Sequence, residues 1–503
     1  MSNCVTYEVL GGRMQDVIGE TASSSTSVLQ QIEKRSIDWV PPKERHGTVR
    51  EQFFLWFLGN FQIFSIATGF VGVSLGLSLL WSIVAGTLGI LIGTLFMAFH
   101  ATQGPVFGLP QMIQSRAQFG YRGVVVALIG SFFTFMAFNV VDQILLSLGF
   151  EGAYGWNAAV MAVVVTVLAT LLAIFGHDWV HKVFRWLLYI TAPLIVIVTI
   201  AVLFGKAGGA APKDPGGFTW VAFMGQLSVA AAYNISYAPY VSDYSRYLPR
   251  ETRSKPIIGA VFFGAAGSAI WLIALGAWMA SRLGATDGLV GLQTAGNAVT
   301  NHLGGIAAFL TAAALIATMG MNAYGAMLTV VTAVDSFTPV QPTRRWRVVT
   351  LLVLAVVWYV VAKAISVDSV GAVFSALTLM LYLLVPWTAI NLVDYFFVRR
   401  GRYAIMDLVR PGGVYGMWSL PGLAAFLIGF LAELPFMVIL PIGKFQYTGW
   451  IAGHLLEKTD LAWIVGLIVS GVAFLLLSKS RNAQAEDAAV AASDRELGQL
   501  ANH

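Results

Sequence analysis

Residues 59–69 read GNFQIFSIATG, and residues 233–239 read YNISYAP. Both stretches place amides, hydroxyls and a helix-weakening glycine or proline within otherwise apolar runs. Non-helical backbone at membrane depth is tolerated only where it faces protein or a water-filled cavity. The two stretches therefore predict a pair of discontinuous helices around a shared site. The alternative is two kinked helices whose polar groups bond to neighbouring helices.

The composition of the chain excludes water as its main solvent. Of its 503 residues, 57% are hydrophobic and only 11% are charged, and the mean hydropathy is +0.74. Soluble proteins carry roughly 25% charged residues, so a soluble enzyme, a nucleic-acid-binding protein and a disordered chain are excluded. The net charge of +5 comes from basic residues at the ends of apolar runs rather than from one patch. A single cysteine, Cys4, excludes a disulfide framework and a thiolate metal site.

Twelve segments are apolar and long enough to cross a bilayer, which requires about 20 residues of helix. We predict 12 transmembrane helices in an all-α membrane protein. The two interrupted stretches lie in the first and sixth segments, five apart, as two inverted repeats of five spans require. The segments cover residues 52–78, 80–103, 124–149, 156–175, 184–204, 219–241, 257–281, 303–334, 348–361, 370–398, 417–440 and 461–477.

The basic residues predict the orientation of these segments. With a cytoplasmic N-terminus, 24 of the 30 lysines and arginines lie on the cytoplasmic side, which is a clear positive-inside bias. Both termini are therefore expected in the cytoplasm, in a multi-pass protein of the plasma or inner cell membrane. We expect residues 1–50 and 479–503 to be tethers rather than domains, the second of them solvated and able to hold a short helix. The membrane domain is expected to consist of repeat one (about 51–206), repeat two (about 218–398) and extra spans (about 417–478).

The third segment carries a polar face. Phe135, Asn139, Asp142 and Gln143 lie three or four residues apart, so they share neighbouring parts of one helix face. An ionisable residue inside a span costs about 3 kcal/mol on insertion scales and usually faces the bundle interior. Asp142 can therefore hydrogen-bond a ligand, carry a proton or pair with a cation. The alternative is an acid near the membrane edge that reaches water.

Polar residues also interrupt the eighth and eleventh segments. Residues 318–325 read TMGMNAYG, and the amide of Asn322 suits the edge of a planar heterocycle because it both donates and accepts. The Thr318 hydroxyl, one turn earlier, could supply an oxygen to a sodium ion or bond to a neighbouring helix. Glu433 lies outside the ten spans of the two repeats, so we interpret it as structural or as part of an interface.

The sequence contains no motif typical of catalysis or metal binding. No nucleophile elbow, phosphate-binding loop or dinucleotide fingerprint lies in a strand–helix context. His177 and His181 are spaced to share a metal in a short loop, but no third ligand cluster accompanies them. A membrane-embedded enzyme is therefore disfavoured, and no metal or other cofactor is expected.

Three motifs lie at the ends of the spans. Residues 104–111 read GPVFGLPQ and lead to SRAQFG at 115–120, residues 236–249 read SYAPYVSDYSRYLP, and residues 386–396 read PWTAINLVDYF. Together these motifs closely resemble those of the nucleobase–cation symporter family, in its purine–cytosine permease branch. The resemblance covers roughly residues 40–480.

This resemblance implies a leucine-transporter-type fold, in which two inverted five-span repeats are followed by two extra helices. It also implies a symporter that imports nucleobases or related heterocycles with a proton or sodium gradient. By the same resemblance, the substrate lies between spans one, three, six, eight and ten, stacked on aromatic rings and hydrogen-bonded by amides. The residues that fall on the substrate-binding positions are Phe135, Asn139, Tyr237, Asn322 and, in the break of span one, Ser65.

The polar residues of spans three and eight give the candidates for ion coupling, and the three motifs give those for gating. Asp142 favours protons as the coupling ion, whereas Thr318 favours sodium. Arg116, Asp243 and Arg246 are expected to organise the cytoplasmic gate rather than to contact substrate.

The expected function is the symport of a nucleobase such as cytosine or a purine. The expected partners are this small heterocyclic substrate and the lipid bilayer, with no nucleic acid, and the chain is expected to be a monomer. The alternatives are a symporter for a vitamin, allantoin or a hydantoin-like compound and, from a different class, a passive channel.

Overall fold

The computed structural model describes residues 38–175, 177–209, 216–338, 340, 343–365, 369–442 and 445–502. The predicted tail up to residue 37, with Cys4, lies outside the described residues. Within the described part, nine single helices and one bent helix pair are long and apolar enough to cross a membrane. Every predicted span coincides with a helix or a broken pair of helices. Spans six and eleven are not among these ten, because their longest single helices are too short to cross a membrane alone.

The first span consists of two helices that meet at an angle of 53°. Its first half begins after Thr48, where the Thr48 and Glu51 side chains form a reciprocal capping box. That half ends at Asn60, and Gln62 then adopts an extended conformation, with φ of −154° and ψ of 174°. The Gln62 side chain accepts a hydrogen bond from the Phe64 backbone NH and thereby caps the second half. The predicted discontinuity in this span is confirmed.

The sixth span is also divided, between Ile235 and Ala238. Pro239 lies in the first turn of the second half, where the missing NH of proline costs no helical hydrogen bond. The Ser236 hydroxyl donates to the Tyr233 carbonyl oxygen at 2.6 Å, which satisfies an acceptor at the broken end. The predicted discontinuity is confirmed here as well.

The remaining spans are mostly continuous helices. Short π-helical turns, Met279–Leu283 and Asp394–Val398, extend the seventh and tenth. In chain order the spans are Val49–Asn60 with Ile63–Ser74, Leu79–Ala101, Val125–Tyr154, Ala158–Phe175, His177–Leu203, Trp220–Ile235 with Ala238–Ser245, Ser254–Trp278, Leu303–Asp335, Arg344–Ala364, Ser369–Val393, Leu420–Glu433 and Ala462–Leu477.

Short elements connect these spans. The loop between spans two and three folds into three short helices, and a small antiparallel hairpin follows span eleven. The connecting elements are Pro42–Glu44, Gln103–Phe107, Gln111–Gln114, Arg116–Phe119, Gly288–Asn297, Ile405–Leu408, Leu434–Phe436, Trp450–Leu455 and Ser478–Ser480, with strands Val438–Ile442 and Phe445–Thr448.

The spans pack as two groups that correspond between the repeats. In the first group, span seven contacts spans one and two, and span six contacts span two. In the second group, spans eight and nine each contact spans three and four. Gly89 and Gly93 of span two lie against the Leu227 and Ala231 carbonyls of span six, so closely that a Cβ at either glycine would overlap them. Spans eleven and twelve pack on each other and on span ten, outside both groups.

Span eleven ends as a helix near Phe436, a few residues before the predicted residue 440, because the chain turns there into the hairpin. Two predictions, about a loop and about the C-terminal tail, were wrong. His177 and His181 lie on the helix of span five rather than in a loop. Span four ends at Phe175, and the helix of span five begins at His177. The C-terminal tail is not a free tether: its helix Ala483–Asn502 is docked on the loops by ion pairs such as Arg250–Asp494 (3.2 Å).

Candidate substrate site between the broken spans

The breaks of spans one and six are joined by hydrogen bonds. The Tyr233 hydroxyl lies 2.6 Å from Gln62 Nε2 and 2.9 Å from Ser65 Oγ. The Tyr237 hydroxyl donates to the Gly59 carbonyl oxygen at 3.1 Å, one of the carbonyls left free where the first helix ends. The predicted site residues Ser65 and Tyr237 therefore both lie at this junction. Their hydroxyl protons hold it together, because the Ser65 hydroxyl donates to the Asn60 carbonyl oxygen and the Tyr237 hydroxyl to that of Gly59.

A second layer of hydrogen bonds fixes the junction against span two. Asn60 Nδ2 donates to Asn234 Oδ1 at 2.8 Å, and Asn234 Nδ2 donates to Thr94 Oγ1 at 2.6 Å. All three side chains are buried. These bonds pair the amide nitrogens that the breaks bring to membrane depth, whereas Asn60 Oδ1 forms no hydrogen bond within the described residues.

Aromatic rings from three spans surround the junction. Phe64 stacks on Tyr233, with ring centroids 5.1 Å apart and planes 22° apart. Phe138 of span three stacks on Tyr237, with centroids 5.9 Å apart and planes 12° apart. We define the aromatic cluster as the buried rings Trp56, Phe64, Phe135, Phe138, Tyr233, Tyr237 and Tyr240.

Spans three, six and eight meet at Tyr240. The Tyr240 ring lies 4.9 Å from the ring of Phe135, and its hydroxyl donates to Asn322 Oδ1 at 3.3 Å. Phe135 in turn lies against Gly325, where a Cβ would come within 2.7 Å of the ring. The predicted residues Phe135 and Asn322 are therefore brought together through a tyrosine that the sequence analysis did not select.

On spans three and eight, four polar atoms beside this cluster form no hydrogen bond within the described residues. They are Asn139 Oδ1, Asn322 Nδ2 and both carboxylate oxygens of Asp142. Asp142 lies within electrostatic range of the hydroxyls of all three cluster tyrosines. Asn139, Asp142 and Asn322 are at most 1% exposed, so these buried unpaired atoms are candidates for binding a small polar ligand. Their role in substrate binding stays a prediction.

The sodium-ligand candidate Thr318 is buried on span eight, which packs against the second half of span one. Its hydroxyl donates to the Ala314 carbonyl oxygen of its own helix at 3.2 Å. The hydroxyl oxygen keeps its lone pairs in that arrangement. Its role in ion coupling stays a prediction.

The predicted gate residues tie the connecting loops to the spans. Arg116 forms an ion pair with Asp335 at the end of span eight (3.0 Å) and donates to the Leu408 carbonyl oxygen (3.0 Å). Asp243 accepts a hydrogen bond from the Gln111 backbone NH at 2.8 Å, and Arg246 Nε donates to the Asp243 carbonyl oxygen at 3.2 Å. None of the three belongs to the aromatic cluster, so their predicted role as gate or structural residues stays a prediction.

The motif at residues 386–396, at the end of span ten, forms a buried hydrogen-bond network with the loop between spans two and three. Gln103 Nε2 donates to Asn391 Oδ1 at 2.6 Å, and Gln118 Nε2 donates to Asp394 Oδ2 at 2.5 Å. Arg399 completes the network by an ion pair with Asp394 at 2.5 Å. The motif residues therefore lock the loop end of span ten rather than line the aromatic cluster.

Sequence reasoning missed Phe138, Tyr233 and Tyr240 as members of the cluster. Tyr233, Tyr237 and Tyr240 lie at spacings of four and three, which puts them on one face if the helix direction continues through the break. Phe138 precedes Asp142 by one turn on the face already assigned to Asn139 and Asp142. These spacings were the available signal for all three rings.

No group of three or more histidine, cysteine, aspartate or glutamate residues that could hold a metal ion occurs among the described residues. The junction offers tyrosine hydroxyls, amides and one carboxylate, which is a donor and acceptor set for a small organic ligand.

Solved structures of two transporters share the fold of this chain. The chain aligns with Mhp1, a nucleobase-cation-symport-1 family transporter in a closed conformation with bromovinylhydantoin bound, at a TM-score of 0.70 and 17% identity, covering 93% of this chain and 100% of that one. A Na⁺-coupled sialic acid symporter aligns at a TM-score of 0.55 and 14% identity, covering 94% and 97%. These likenesses confirm the leucine-transporter-type fold with two inverted five-span repeats.

Sequence comparison identifies the family. The purine-cytosine permease homologue YxlA of Bacillus subtilis (strain 168) is 32% identical over 454 residues, which cover 90% of this chain and 97% of that protein. The purine-cytosine permease FCY2 of Saccharomyces cerevisiae is 25% identical over 235 residues, 44% of this chain and 43% of that protein. Residues 39–466 match the family described as permease for cytosine/purines, uracil, thiamine, allantoin. The chain therefore belongs to the cytosine and purine permease family of multi-pass membrane transporters.

Proposed function

We propose that this protein is a cation-coupled symporter that imports a nucleobase such as cytosine or a purine, and that it has no catalytic activity. The observation that carries the proposal is the position of four unpaired polar atoms, from Asn139, Asp142 and Asn322, beside the aromatic cluster. Family membership and the likeness to Mhp1 support it independently.

The arrangement suits a flat heterocycle with a polar edge. Stacking of a base on an aromatic ring is worth about 1–3 kcal/mol, and each hydrogen bond to a neutral partner adds about 1 kcal/mol. One or two stacked rings with three or four hydrogen bonds reach the roughly 8 kcal/mol of micromolar binding only if the site is preorganised. The hydrogen bonds from Tyr233, Tyr237 and Tyr240 provide this preorganisation.

The proposed orientation places both termini in the cytoplasm of a plasma or inner cell membrane. The distribution of lysine and arginine supports it, with 24 of 30 on that side. In this orientation the contacts of Arg116, Asp243 and Asp394 tie the connecting loops to the spans at the cytoplasmic end of the protein.

Uptake of radiolabelled cytosine and hypoxanthine into proteoliposomes tests the proposed function. We expect uptake that is driven by an inward cation gradient and that is reduced by unlabelled adenine, cytosine, hypoxanthine or uracil. Inhibition by thiamine, allantoin or a hydantoin instead of any nucleobase would favour the alternative substrates. Uptake that persists unchanged after an ionophore collapses the gradient would indicate a passive channel.

The coupling ion is tested by replacement of external sodium with choline at constant pH. The two candidates predict different outcomes, because coupling requires that the ion favour the substrate-competent state. Coupling through Asp142 predicts that uptake is unchanged without sodium and stops when the proton gradient is collapsed. Coupling through Thr318 predicts that uptake is lost in choline and persists without a proton gradient. We favour the proton.

A further inference from the structure

A cavity of about 600 Å³ lies where spans ten and twelve end and the C-terminal helix begins. It is separate from the aromatic cluster and shares no residue with it. We call it the basic pocket, because five cationic side chains and only two acidic ones line it. The cationic residues are Arg399, Arg400, Arg402, Lys479 and Arg481, and the acidic residues are Glu486 and Asp487.

Ion pairs inside the basic pocket neutralise only part of this charge. Glu486 is shared between Arg399 (2.9 Å) and Arg481 (2.8 Å), and Asp487 pairs with Arg402 at 3.2 Å. Arg400 and Lys479 are exposed and form no ion pair with any residue that the structure describes. The pocket therefore keeps an excess of positive charge that only a ligand or solvent can satisfy.

Two backbone features add to this character. Arg400 has a φ of +51°, a left-handed conformation that is unfavourable for residues other than glycine and that tends to occur at functional sites. The helix Ala483–Asn502 begins at the pocket, and its first residue is part of the lining. A helix N-terminus carries a partial positive charge, so it favours an anion.

The wall of the pocket that faces the membrane is apolar. Phe397 and Leu475, at the ends of spans ten and twelve, line it with side chains that are 67% and 44% exposed. Apolar side chains exposed at the end of a span lie against lipid, because water would disfavour them. The pocket thus joins a cationic chamber to a lipid-facing apolar edge.

We propose that the basic pocket binds the headgroup of an anionic phospholipid. The phosphate lies between Arg400 and Lys479, and the acyl chains pass along Phe397 and Leu475. Guanidinium and ammonium groups at a membrane surface attract anionic lipids, and arginine can donate two parallel hydrogen bonds to a phosphate. A soluble phosphate could share the cationic chamber but gains nothing from the apolar edge, which is why we assign a lipid.

Native mass spectrometry of the full-length protein in detergent micelles tests this site. The micelles are supplemented with phosphatidylglycerol, with phosphatidylcholine, or with phosphatidylglycerol and an excess of inorganic phosphate. The test variant carries Arg400→Gln and Lys479→Gln, which leaves the ion pairs of Arg399, Arg402 and Arg481 intact. The matched control carries Arg344→Gln and Arg345→Gln, which removes the same charge from the exposed start of span nine.

We expect the wild type and the control to retain phosphatidylglycerol in preference to phosphatidylcholine. A basic residue near a charged membrane surface contributes about a fivefold gain in affinity for anionic lipid, so the test variant should lose about 25-fold. Inorganic phosphate should not displace the lipid. Equal retention of phosphatidylglycerol by the test variant and the control, equal retention of the two lipids by the wild type, or displacement by inorganic phosphate would each overturn the proposal.

Discussion

Two buried acids in this protein have opposite surroundings. Asp142 in span three and Glu433 in span eleven are both at most 1% exposed, and the carboxylate oxygens of both form no hydrogen bond within the described residues. Asp142 lies near three tyrosine hydroxyls and shares its helix face with Asn139. Glu433 lies over Gly466 in the contact between spans eleven and twelve, so closely that a Cβ at position 466 would overlap its carboxylate.

The difference shows that burial of an acid is not enough to indicate a site. Around Asp142, unpaired amide atoms and aromatic faces from spans one, three, six and eight converge on one place. Glu433 interacts electrostatically with Asp460, whose oxygens are already bonded to the Val438 and Ala462 backbone NH groups and to the Tyr382 hydroxyl. We therefore interpret Asp142 as part of the transport machinery and Glu433 as part of a packing contact.

The largest expected effect is that of Asp142→Asn on uptake. The substitution keeps the size of the side chain and removes the carboxylate, and a hydrogen bond to a charged group is worth about 1.5–3 kcal/mol. Substrate affinity should therefore fall by about 10- to 100-fold, and uptake should no longer respond to the proton gradient if Asp142 carries the coupling proton. Radiolabelled uptake in proteoliposomes at two imposed pH gradients measures both changes.

The matched control for this variant is Glu433→Gln, which removes the other buried unpaired acid. Similar losses of uptake in the two variants would contradict the distinction between the two regions. Normal uptake in Asp142→Asn, with its response to the gradient retained, would remove Asp142 from the site.

The next largest effect is expected for Asn139→Ala and Asn322→Ala. Each removes one neutral hydrogen bond to the substrate, worth about 1 kcal/mol, so each should weaken substrate binding by about fivefold and the double variant by about 25-fold. Ser131→Ala is the control, because Ser131 is buried on span three and, among the described residues, bonds only to its own helix, at the Leu128 carbonyl oxygen (3.2 Å). Normal affinity in both single variants would exclude these amides from the substrate site.

A smaller effect is expected for Tyr240→Phe. The Tyr240 hydroxyl holds the Asn322 amide in one orientation by its 3.3 Å hydrogen bond, and the ring itself remains in the variant. In the variant the Asn322 amide turns more freely, so substrate binding should weaken by about threefold. This loss lies within the free-energy range of a modest hydrogen bond between neutral groups. The decisive measurement is the double variant Tyr240→Phe with Asn322→Ala. Its loss should equal that of Asn322→Ala alone, since the hydroxyl acts through the amide, and additive losses would contradict this role.

Local sequence signals predicted the polar core well. The glycines, amides and proline at residues 59–69 and 233–239 determine where the helices break, and both breaks are formed as predicted. The face of Phe135, Asn139 and Asp142 follows from helical spacing alone. The hydrogen bond between Tyr240 and Asn322 joins residues 82 positions apart, and no local pattern contains that information.

The docking of the C-terminal helix was not predictable for the same reason. Arg399 pairs with Glu486, and Arg410 pairs with Glu496, across more than 80 residues of chain. Read locally, residues 483–502 are alanine-rich and charged, which is typical of a solvated helix. Only the fold places the basic loop after span ten beside these acids, so the tail was predicted as a tether.

The smallest expected effect on transport is that of Glu433→Gln. A neutral amide of nearly the same shape avoids the cost of a buried charge, so substitution of an unpaired buried acid should leave the fold at least as stable. Uptake should stay within about twofold of the wild type, because spans eleven and twelve lie outside the two repeats.

Gly466→Ala, in contrast, should lower the melting temperature in detergent, since the added methyl group overlaps the Glu433 carboxylate. The combination of Gly466→Ala with Glu433→Ala should recover much of that loss, because the shortened side chain makes room for the methyl group. An unchanged melting temperature in Gly466→Ala would show that Glu433 and Gly466 are not tightly packed. The proposed distinction between the surroundings of Glu433 and those of Asp142 would then be contradicted.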